Sequence, residues 1–393
     1  MKEIQVLKFG GTSLNSDFKL INAVKIISQK ISNDIFPIIV VSALGRKGEP
    51  YATDTLLNLI NQDLLLDKDV AKLISCGEVI ASIVLANALV KNDIKAISLN
   101  GFEAGILTDA SYLDAKIKAI DSSNIIKMIK DGIIPIITGF QGVNSNGNIT
   151  TLGRGGSDFT AAAVAVALKA SGLHIYKETD GIFTTDPRIV KDAYRIDKMD
   201  FSEVFELTSE GAKVIYKETM QIAFDYELPV FVKSFADDKE GTEILKFKQS
   251  KIITGITAKE NIVTVSIKVN NKKEDLKVFS IIAKNGISAD FIDIRDEKIS
   301  FIADEKYKSK LKNILSKKEF IISDEFVKIS LVGAGMTGIP GVVAKIIETL
   351  QSADIELFQT TDSHTTISCL IKKTDYKKAL NALHNKFLKK EHK

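Results

Sequence analysis

Through about residue 250, short apolar runs alternate with longer stretches in which apolar residues recur every third or fourth position. Ile4–Lys8 reads as a strand, and Phe36–Val41 and Ile133–Thr138 are near-continuous apolar runs of strand length. Leu20, Ile21, Val24, Ile27 and Ile31 put one apolar face on a helix over Asp17–Ile31. The same reading predicts helices over Asp54–Leu66, Asp69–Val90 and Ala115–Lys130, and strands at Lys95–Leu99 and His174–Lys177. Apolar strands between helices imply a mostly parallel sheet covered on both faces. Asn146-Gly147, between Val143 and Ile149, marks an inserted hairpin.

Beyond that point the pattern changes. Strands at Ile262–Val269, Ser288–Ile294 and Lys298–Ala303, with a helix over Leu276–Lys284, are followed by the same order at Val327–Val332, Gly341–Leu350, Ile355–Thr360 and Thr365–Ile371. Ile287–Ile302 aligns with Ile355–Leu370 at a constant shift of 68 residues. This is a duplicated α+β unit of ferredoxin-like order, which reads as a regulatory module rather than a second active site.

Ligands of open α/β sheets bind outside the carboxyl ends of the strands, and the chemistry-bearing residues sit there. Lys8-Phe9-Gly10-Gly11-Thr12-Ser13 joins a strand-end lysine to a glycine pair whose amides can face a phosphate. Ser42 and Gly139-Phe140 follow two other strands. The stretch Thr150 to Asp158 packs Arg154, Asp158, three hydroxyls and three glycines into nine residues before a helix-forming run, Phe159–Ala170. Ser157 or Asp158 can cap that helix, whose first amides attract an anion, and the Arg154 fork suits a carboxylate or phosphate. A plain turn with a cap needs neither the arginine nor the glycine pair. Thr179 to Arg188 is a polar loop offering hydroxyl, acid and arginine groups, or simply turn chemistry of the Asp-Gly and Asp-Pro kind. Glu78 lies in an apolar helix pattern beside Gly77, whose presence there hints at close packing. Gly333 to Gly338 matches G-x-G-x-x-G after a strand, yet too few residues follow for a dinucleotide-binding domain, and the duplication accounts for it better. No Walker A loop and no protein-kinase signature occurs.

Composition narrows the chemistry. The 53 basic and 50 acidic residues leave a net charge of +3, which favours neither nucleic acid nor a membrane as partner. Two distant cysteines, Cys76 and Cys369, exclude a disulfide scaffold and fit a reducing cytosol, hence a cytoplasmic location. The first residues do not read as a signal peptide, and no run is expected to approach the ~18 apolar residues of a membrane helix. Of four histidines only His174 precedes His364, so a histidine base is not expected and positioning with electrostatics is.

Taken in order, these segments resemble aspartate kinase of the amino-acid kinase superfamily, in its monofunctional bacterial form with tandem ACT domains. The carriers are residues 8–13, Val-Val-Ser-Ala (40–43), Ser-Cys-Gly-Glu (75–78), Gly-Phe-Gln-Gly (139–142), 150–158, Gly-Ile-Phe-Thr-Thr-Asp-Pro-Arg (181–188), Gly-Ala-Lys-Val (211–214) and 359–368. The segment from Gly45 to Thr55 is similar to the monofunctional bacterial enzymes. The resemblance implies a three-layer αβα kinase domain of carbamate-kinase type over 1–250. Two ferredoxin-like ACT units would follow, over 252–322 and 323–393, the first completed by the C-terminal strand. It implies transfer of the ATP γ-phosphoryl group to the β-carboxylate of L-aspartate, the first step toward diaminopimelate, lysine, threonine and methionine.

By that resemblance Lys8 lies on the transferring phosphates, with Phe9, Gly10 and Gly11 alongside, and Asp158 orients Lys8 or the metal-bound phosphates. Arg154 holds a substrate carboxylate and Glu78 the substrate ammonium; Ser42, Phe140 and Ser157 complete the aspartate pocket. Lys177, Glu178, Phe183, Asp186, Arg188 and Lys213 line the ATP side, and Mg²⁺ arrives with ATP. A feedback amino acid would bind between ACT units, with Asp290, Gly338 and Val342 as candidate contacts, in a homodimer or larger homo-oligomer. Two departures stand out: Lys177-Glu178-Thr179 where the family carries Thr-Asp-Val, and Tyr216-Lys217 where it often has His-Pro. Both are expected on the nucleotide side. The competing readings are a catalytically weak ACT-based sensor and another acyl-phosphate-forming kinase, such as one for glutamate.

Overall fold

The computed structural model describes residues 2–212, 214–236, 240–247, 251–336 and 339–389. It divides into two compact units. The first comprises Met1–Ile182, Arg195–Phe205 and Lys213–Lys248; the second comprises Phe183–Tyr194, Glu206–Ala212 and Gln249–Lys393. A boundary near 250 therefore misses two short segments that pack with the C-terminal part. Thr184 shows why for one of them. It accepts from Ile256 N through its carbonyl at 2.7 Å, and its hydroxyl lies 2.9 Å from Nε2 of fully buried His384.

The first unit opens with β1 (Glu3–Phe9), α1 (Asp17–Ser32), β2 (Ile35–Val41), α2 (Thr53–Leu57) and α3 (Asp67–Val90). Next come β3 (Ala96–Leu99), β4 (Ile106–Thr108), β5 (Ile117–Ile120), α4 (Ser123–Lys130), β6 (Ile134–Thr138), β7 (Gln141–Val143) and β8 (Ile149–Thr151). It closes with α5 (Gly156–Ala167), β9 (Gly172–Lys177), β10 (Lys198–Asp200), α6 (Phe201–Ser209, counted with this unit as far as Phe205), α7 (Lys217–Asp225), β11 (Val230–Ser234) and β12 (Thr242–Leu245). Eight strands form one sheet in the order β10-β12-β11-β9-β1-β2-β6-β3, parallel except where β11 meets β12. The apolar runs are its centre: Ile38 to Val41, Ile136, Ile137, Leu173 and Ile175 are fully buried, as a sheet covered on both faces demands.

Three expectations change here. The stretch read as a helix over Ala115–Lys130 is β5 followed by α4, because Ile117 and Ile120 pair with β4 in a small sheet, β5-β4-β7-β8. The helix read over Asp54–Leu66 stops at Leu57. Its remaining leucines, Leu59, Leu64, Leu65 and Leu66, are exposed, so no core contact sustains the periodicity. Finally, α3 is long and apolar enough by length and composition to cross a membrane, contrary to the expectation of no such run. It packs on β3, β6 and β8 and buries Val70, Ile74, Ala81 and Leu85, as a core helix does.

The second unit carries β13 (Gly255–Lys259), β14 (Ile262–Lys268), α8 (Lys272–Asp275), α9 (Lys277–Lys284), β15 (Asp290–Ile294), β16 (Lys298–Asp304), α10 (Lys308–Ile314) and β17 (Phe320–Ser323). It continues with β18 (Phe326–Val332), α11 (Val342–Ser352), β19 (Leu357–Asp362), β20 (Thr366–Lys372) and α12 (Tyr376–Phe387). The duplication is real: β16 spans 298–304 and β20 spans 366–372, each end displaced by 68 residues. The left-handed residues that close the two preceding helices, Gly286 and Asp354, share that shift.

Each half builds a four-stranded sheet, β15-β16-β14-β17 and β13-β18-β20-β19, over its own core. Among the described residues no strand after β20 returns to the first sheet, where one was expected. After β20 the described chain is helical, burying Ala379, Leu380 and Leu383. Strand exchange runs from the other end, where β13 pairs antiparallel with β18 and completes the second sheet.

One buried charge ties the second unit together. Lys328 on β18, 5% exposed, lies 2.7 Å from Glu210 and 2.5 Å from Asp290. Burial alone would lower its pKa; the two carboxylates outweigh that and raise it. Lys328→Met is expected to destabilise this unit by about 3 kcal/mol, because two carboxylates lose their shared counter-charge. Urea denaturation followed by far-UV circular dichroism checks this, and an unchanged midpoint would contradict it.

Candidate active site

The carboxyl ends of β1, β2 and β6 converge at one end of the large sheet. Ser42 N donates to Phe9 O at 3.2 Å, and Gly139 N donates to Val41 O at 3.0 Å. Gly11 is the close-approach glycine: a Cβ there would lie 2.2 Å from Ala43 O, so no side chain fits. Gly10 is freer. The nearest atoms to a Cβ there are Tyr176 O at 3.7 Å, Ser13 Oγ at 3.8 Å and Lys8 Nζ at 3.9 Å. Its surroundings therefore pair a glycine backbone with an ammonium, the combination that holds phosphates.

Lys8 points into this corner and meets Asp158 at 2.6 Å, both almost fully buried, at 7% and 4% exposure. Asp158 stands in the first turn of α5. The N-cap of α5 is Gly155, left-handed at φ 75°, and not Ser157 or Asp158 as expected. Glycine adopts that conformation without strain, so both side chains start inside the helix and are free for other work. Burial alone would raise the Asp158 pKa; Lys8 and then Lys177 outweigh it and hold the carboxylate below its ordinary range. Lys177 ends β9 and donates through Nζ to Val214 O. Burial lowers its ammonium pKa, Lys8 adds to that, and Asp158 works against it.

Glu78 is 2% exposed on the inner face of α3. Its Oε1 accepts from Ala43 N at 3.0 Å, and its Oε2 has no partner among the described residues. Burial pushes its pKa up to about 8, against the Ala43 amide and the Lys8 charge. Gly77 explains how the helix comes so close: a Cβ there would lie 2.6 Å from that of Ala43 and 2.8 Å from Tyr51 O. A buried carboxyl with one free oxygen is a ready partner for a ligand cation.

Phe140 is left-handed at φ 68°, a strained state for a side chain of this size. It is held at both ends: its N–H donates to Thr160 Oγ1 at 3.1 Å, and its carbonyl accepts from Leu152 N at 2.9 Å. Gly139 and Gly156 permit this, since a Cβ on either would collide with Ser157 or Phe140 at 2.7 Å and 2.8 Å. Phe140, Ser157 and Asp158 thus form one packed group. Arg154 is exposed and makes no hydrogen bond or ion pair among the described residues. It lines a cleft with Asp114, Lys116, Gly155, Tyr216 and Glu218. Lys8, Glu78 and Ser42 do not line that cleft.

Tyr216 packs its ring on the Gly155 backbone, where a Cβ would lie 2.1 Å from its Cγ. Glu178 pairs with Arg46 and sits 4.0 Å from Lys19. Phe183, Asp186 and Arg188 belong to the second unit, where Arg188 grips Asp186 at 2.6 Å. Lys213 and Gly338 lie outside the described residues. Asp290 is taken by Lys328, whereas Val342 lines a cavity with Met336, Ile339, Pro340, Asp362 and His364. Gly333 and Gly335 of the glycine motif serve packing: Cβ atoms on them would lie 2.1 Å and 2.4 Å from the carbonyls of Ile252 and Lys251. Sequence reasoning missed three contributors: the Ala43 amide, Val214 O and Thr160. All act through backbone or side-chain contacts that cross the chain and leave no local signal.

A profile described as the amino acid kinase family matches residues 3–234, and an ACT domain profile matches residues 321–385. Aspartokinase 1 of Bacillus subtilis is 35% identical, over 98% of this chain and 99% of its own length. The aspartokinase of Geobacillus stearothermophilus is 34% identical, over 98% and 97%. In fold, the chain is similar to Escherichia coli aspartokinase III solved with aspartate and ADP, at TM-score 0.82 and 23% identity, over 98% of this chain and 99% of that one.

Proposed function

The chain belongs to the aspartokinases of the amino acid kinase family, and from that membership and the site we propose transfer of the ATP γ-phosphoryl group to the β-carboxylate of L-aspartate. The products are 4-phospho-L-aspartate and ADP. The observation that carries this reading is the buried Lys8–Asp158 pair beside Gly10, with the free oxygen of Glu78 close enough to feel the Lys8 charge.

The chemistry suits the residues. An aspartate β-carboxylate, with pKa about 3.9, is ionised at neutral pH and needs no base. The task is to bring two anions together and to stabilise the charge that develops in transfer. Lys8 sits on the transferring phosphates, oriented by Asp158, and the Gly10 and Gly11 amides donate to phosphate oxygens. Glu78, once ionised, receives the substrate ammonium, and Arg154 takes a substrate carboxylate. Ser42, Phe140 and Ser157 close the pocket around the carbon skeleton. Among the described residues no three His, Cys, Asp or Glu side chains cluster closely enough to hold a metal themselves. Mg²⁺ would arrive with ATP, held mainly by phosphate oxygens and water. The test is formation of an acyl phosphate that requires both ATP and L-aspartate and is trapped as a hydroxamate.

Regulation forms the second part of the reading. The cavity at Met336, Ile339, Val342, Asp362 and His364 offers apolar walls, an acid and an imidazole, which fit an amino-acid effector. One of L-lysine, L-threonine or meso-diaminopimelate is expected to inhibit the full chain, and Val342→Trp to abolish that inhibition with basal kcat within about twofold. Inhibition that persists in Val342→Trp would contradict this placement of the effector.

A further inference from the structure

Arg154 is held by its backbone alone. Its side chain is exposed and makes no hydrogen bond or ion pair among the described residues. Where its guanidinium can reach is therefore set by the turn it stands on, Gly153-Arg154-Gly155. Both flanking residues are left-handed glycines, at φ 71° and 75°. Glycine takes that conformation freely, and it leaves the turn no side chain beside Arg154 with which to pack.

The two sides of the turn are braced differently. On the entering side the brace is backbone. Thr151 N donates to Tyr112 O at 2.7 Å, Ala115 N to Thr151 O at 2.9 Å, and Leu152 N to Phe140 O at 2.9 Å. On the leaving side it is one side chain. The three atoms nearest to a Cβ on Gly155 are the Cβ, Cγ and Cδ2 of Tyr216. Tyr216 immediately precedes α7, and α7 packs on α5. One helix thus carries the ring and sets it on the N-cap of the other. Arg154, Gly155 and Tyr216 line the same cleft. The Tyr216 hydroxyl makes no hydrogen bond among the described residues, so the ring is the part that acts. Asp158, farther along α5, is fixed separately by its pairing with Lys8.

We propose that Tyr216 is a positioning residue: its ring fixes the Gly155 side of the turn and so sets where the Arg154 guanidinium meets the substrate. The assignment rests on the kinase reading above, in which Arg154 takes a substrate carboxylate. Because Lys8 and Asp158 are held independently, the ring governs capture of the amino acid and not the phosphoryl transfer.

Steady-state hydroxamate formation by the full chain tests it, with folding checked by far-UV circular dichroism. Tyr216→Ala is expected to raise the KM for aspartate roughly 10-fold, the scale of loosening one charge-assisted hydrogen bond, with kcat and the KM for ATP within about threefold. Tyr216→Phe should match the wild type, since it keeps the ring and loses only an unpartnered hydroxyl. Tyr216→Leu keeps an apolar side chain against α5 and covers an alanine variant that fails to fold; it should raise the same KM by about threefold or more. A ring that only stabilised the fold would lower kcat through loss of active protein and leave the KM for aspartate alone. An unchanged KM for aspartate, an equal rise in both KM values, or a Tyr216→Phe enzyme as impaired as Tyr216→Ala would overturn the assignment and leave the kinase reading intact. No aspartate-dependent hydroxamate from the wild type would overturn both.

Discussion

Lys8→Ala is expected to lower aspartate-dependent turnover by ~10³-fold or more, the largest effect of any single substitution in the first unit. Removing a cation from a transferring phosphoryl group costs that order of rate in phosphotransfer enzymes. The variant also leaves Asp158 buried with only Lys177 to balance it. Breaking a buried pair from one side destabilises by about 3–5 kcal/mol, so kcat must be read on protein shown to be folded. Asp158→Asn should fall less, by roughly 10- to 100-fold, because it loosens Lys8 without removing its charge. A Lys8→Ala enzyme within tenfold of wild type would contradict the role given to this corner.

Glu78→Gln is expected to raise the KM for aspartate by about 100-fold and to leave that for ATP within threefold, since only the first substrate brings an ammonium. The wild type should also bind aspartate with release of a proton. With its pKa at about 8, Glu78 is protonated near neutrality and must ionise to pair with the substrate cation. Apparent aspartate affinity should then rise by up to about tenfold per pH unit between roughly pH 6 and 8, and level off above. Calorimetry in buffers of different ionisation enthalpy counts the proton directly. The stability consequence has the opposite sign. The folded pKa lies above the ordinary carboxylate value of 4.5, so the folded state binds more protons, and stability falls as pH rises from about 4.5 to about 8. Glu78→Gln should remove that slope. A pH-independent aspartate affinity in the wild type would contradict the placement of Glu78.

Much of this was legible in the residues, for reasons that differ from element to element. β2 and β6 were readable because strands buried on both faces are almost purely apolar. The duplication was readable because β16 and β20 repeat at a fixed interval. Gly77 signalled a close approach before the partner was known; the partner is Ala43. The burial of Glu78 was less accessible, since α3 is apolar around most of its circumference and its periodicity does not single out an inner face. The segments 183–194 and 206–212 could not be assigned to the second unit from sequence. Their contacts, such as Thr184 with His384 and Glu210 with Lys328, span more than a hundred residues. Lys177 and Tyr216 were visible as departures. That one donates to Val214 O and the other covers Gly155 depends on the folded loop between them.

The most direct test of the central claim is the product itself. Wild type and Arg154→Ala would be incubated with Mg-ATP, L-aspartate and hydroxylamine, and ADP and hydroxamate measured together. The account predicts aspartyl β-hydroxamate in equal amount to ADP, dependent on both substrates, absent with L-glutamate, and lost in Arg154→Ala. ADP formed without hydroxamate, or hydroxamate formed as readily from glutamate or by the variant, would contradict it.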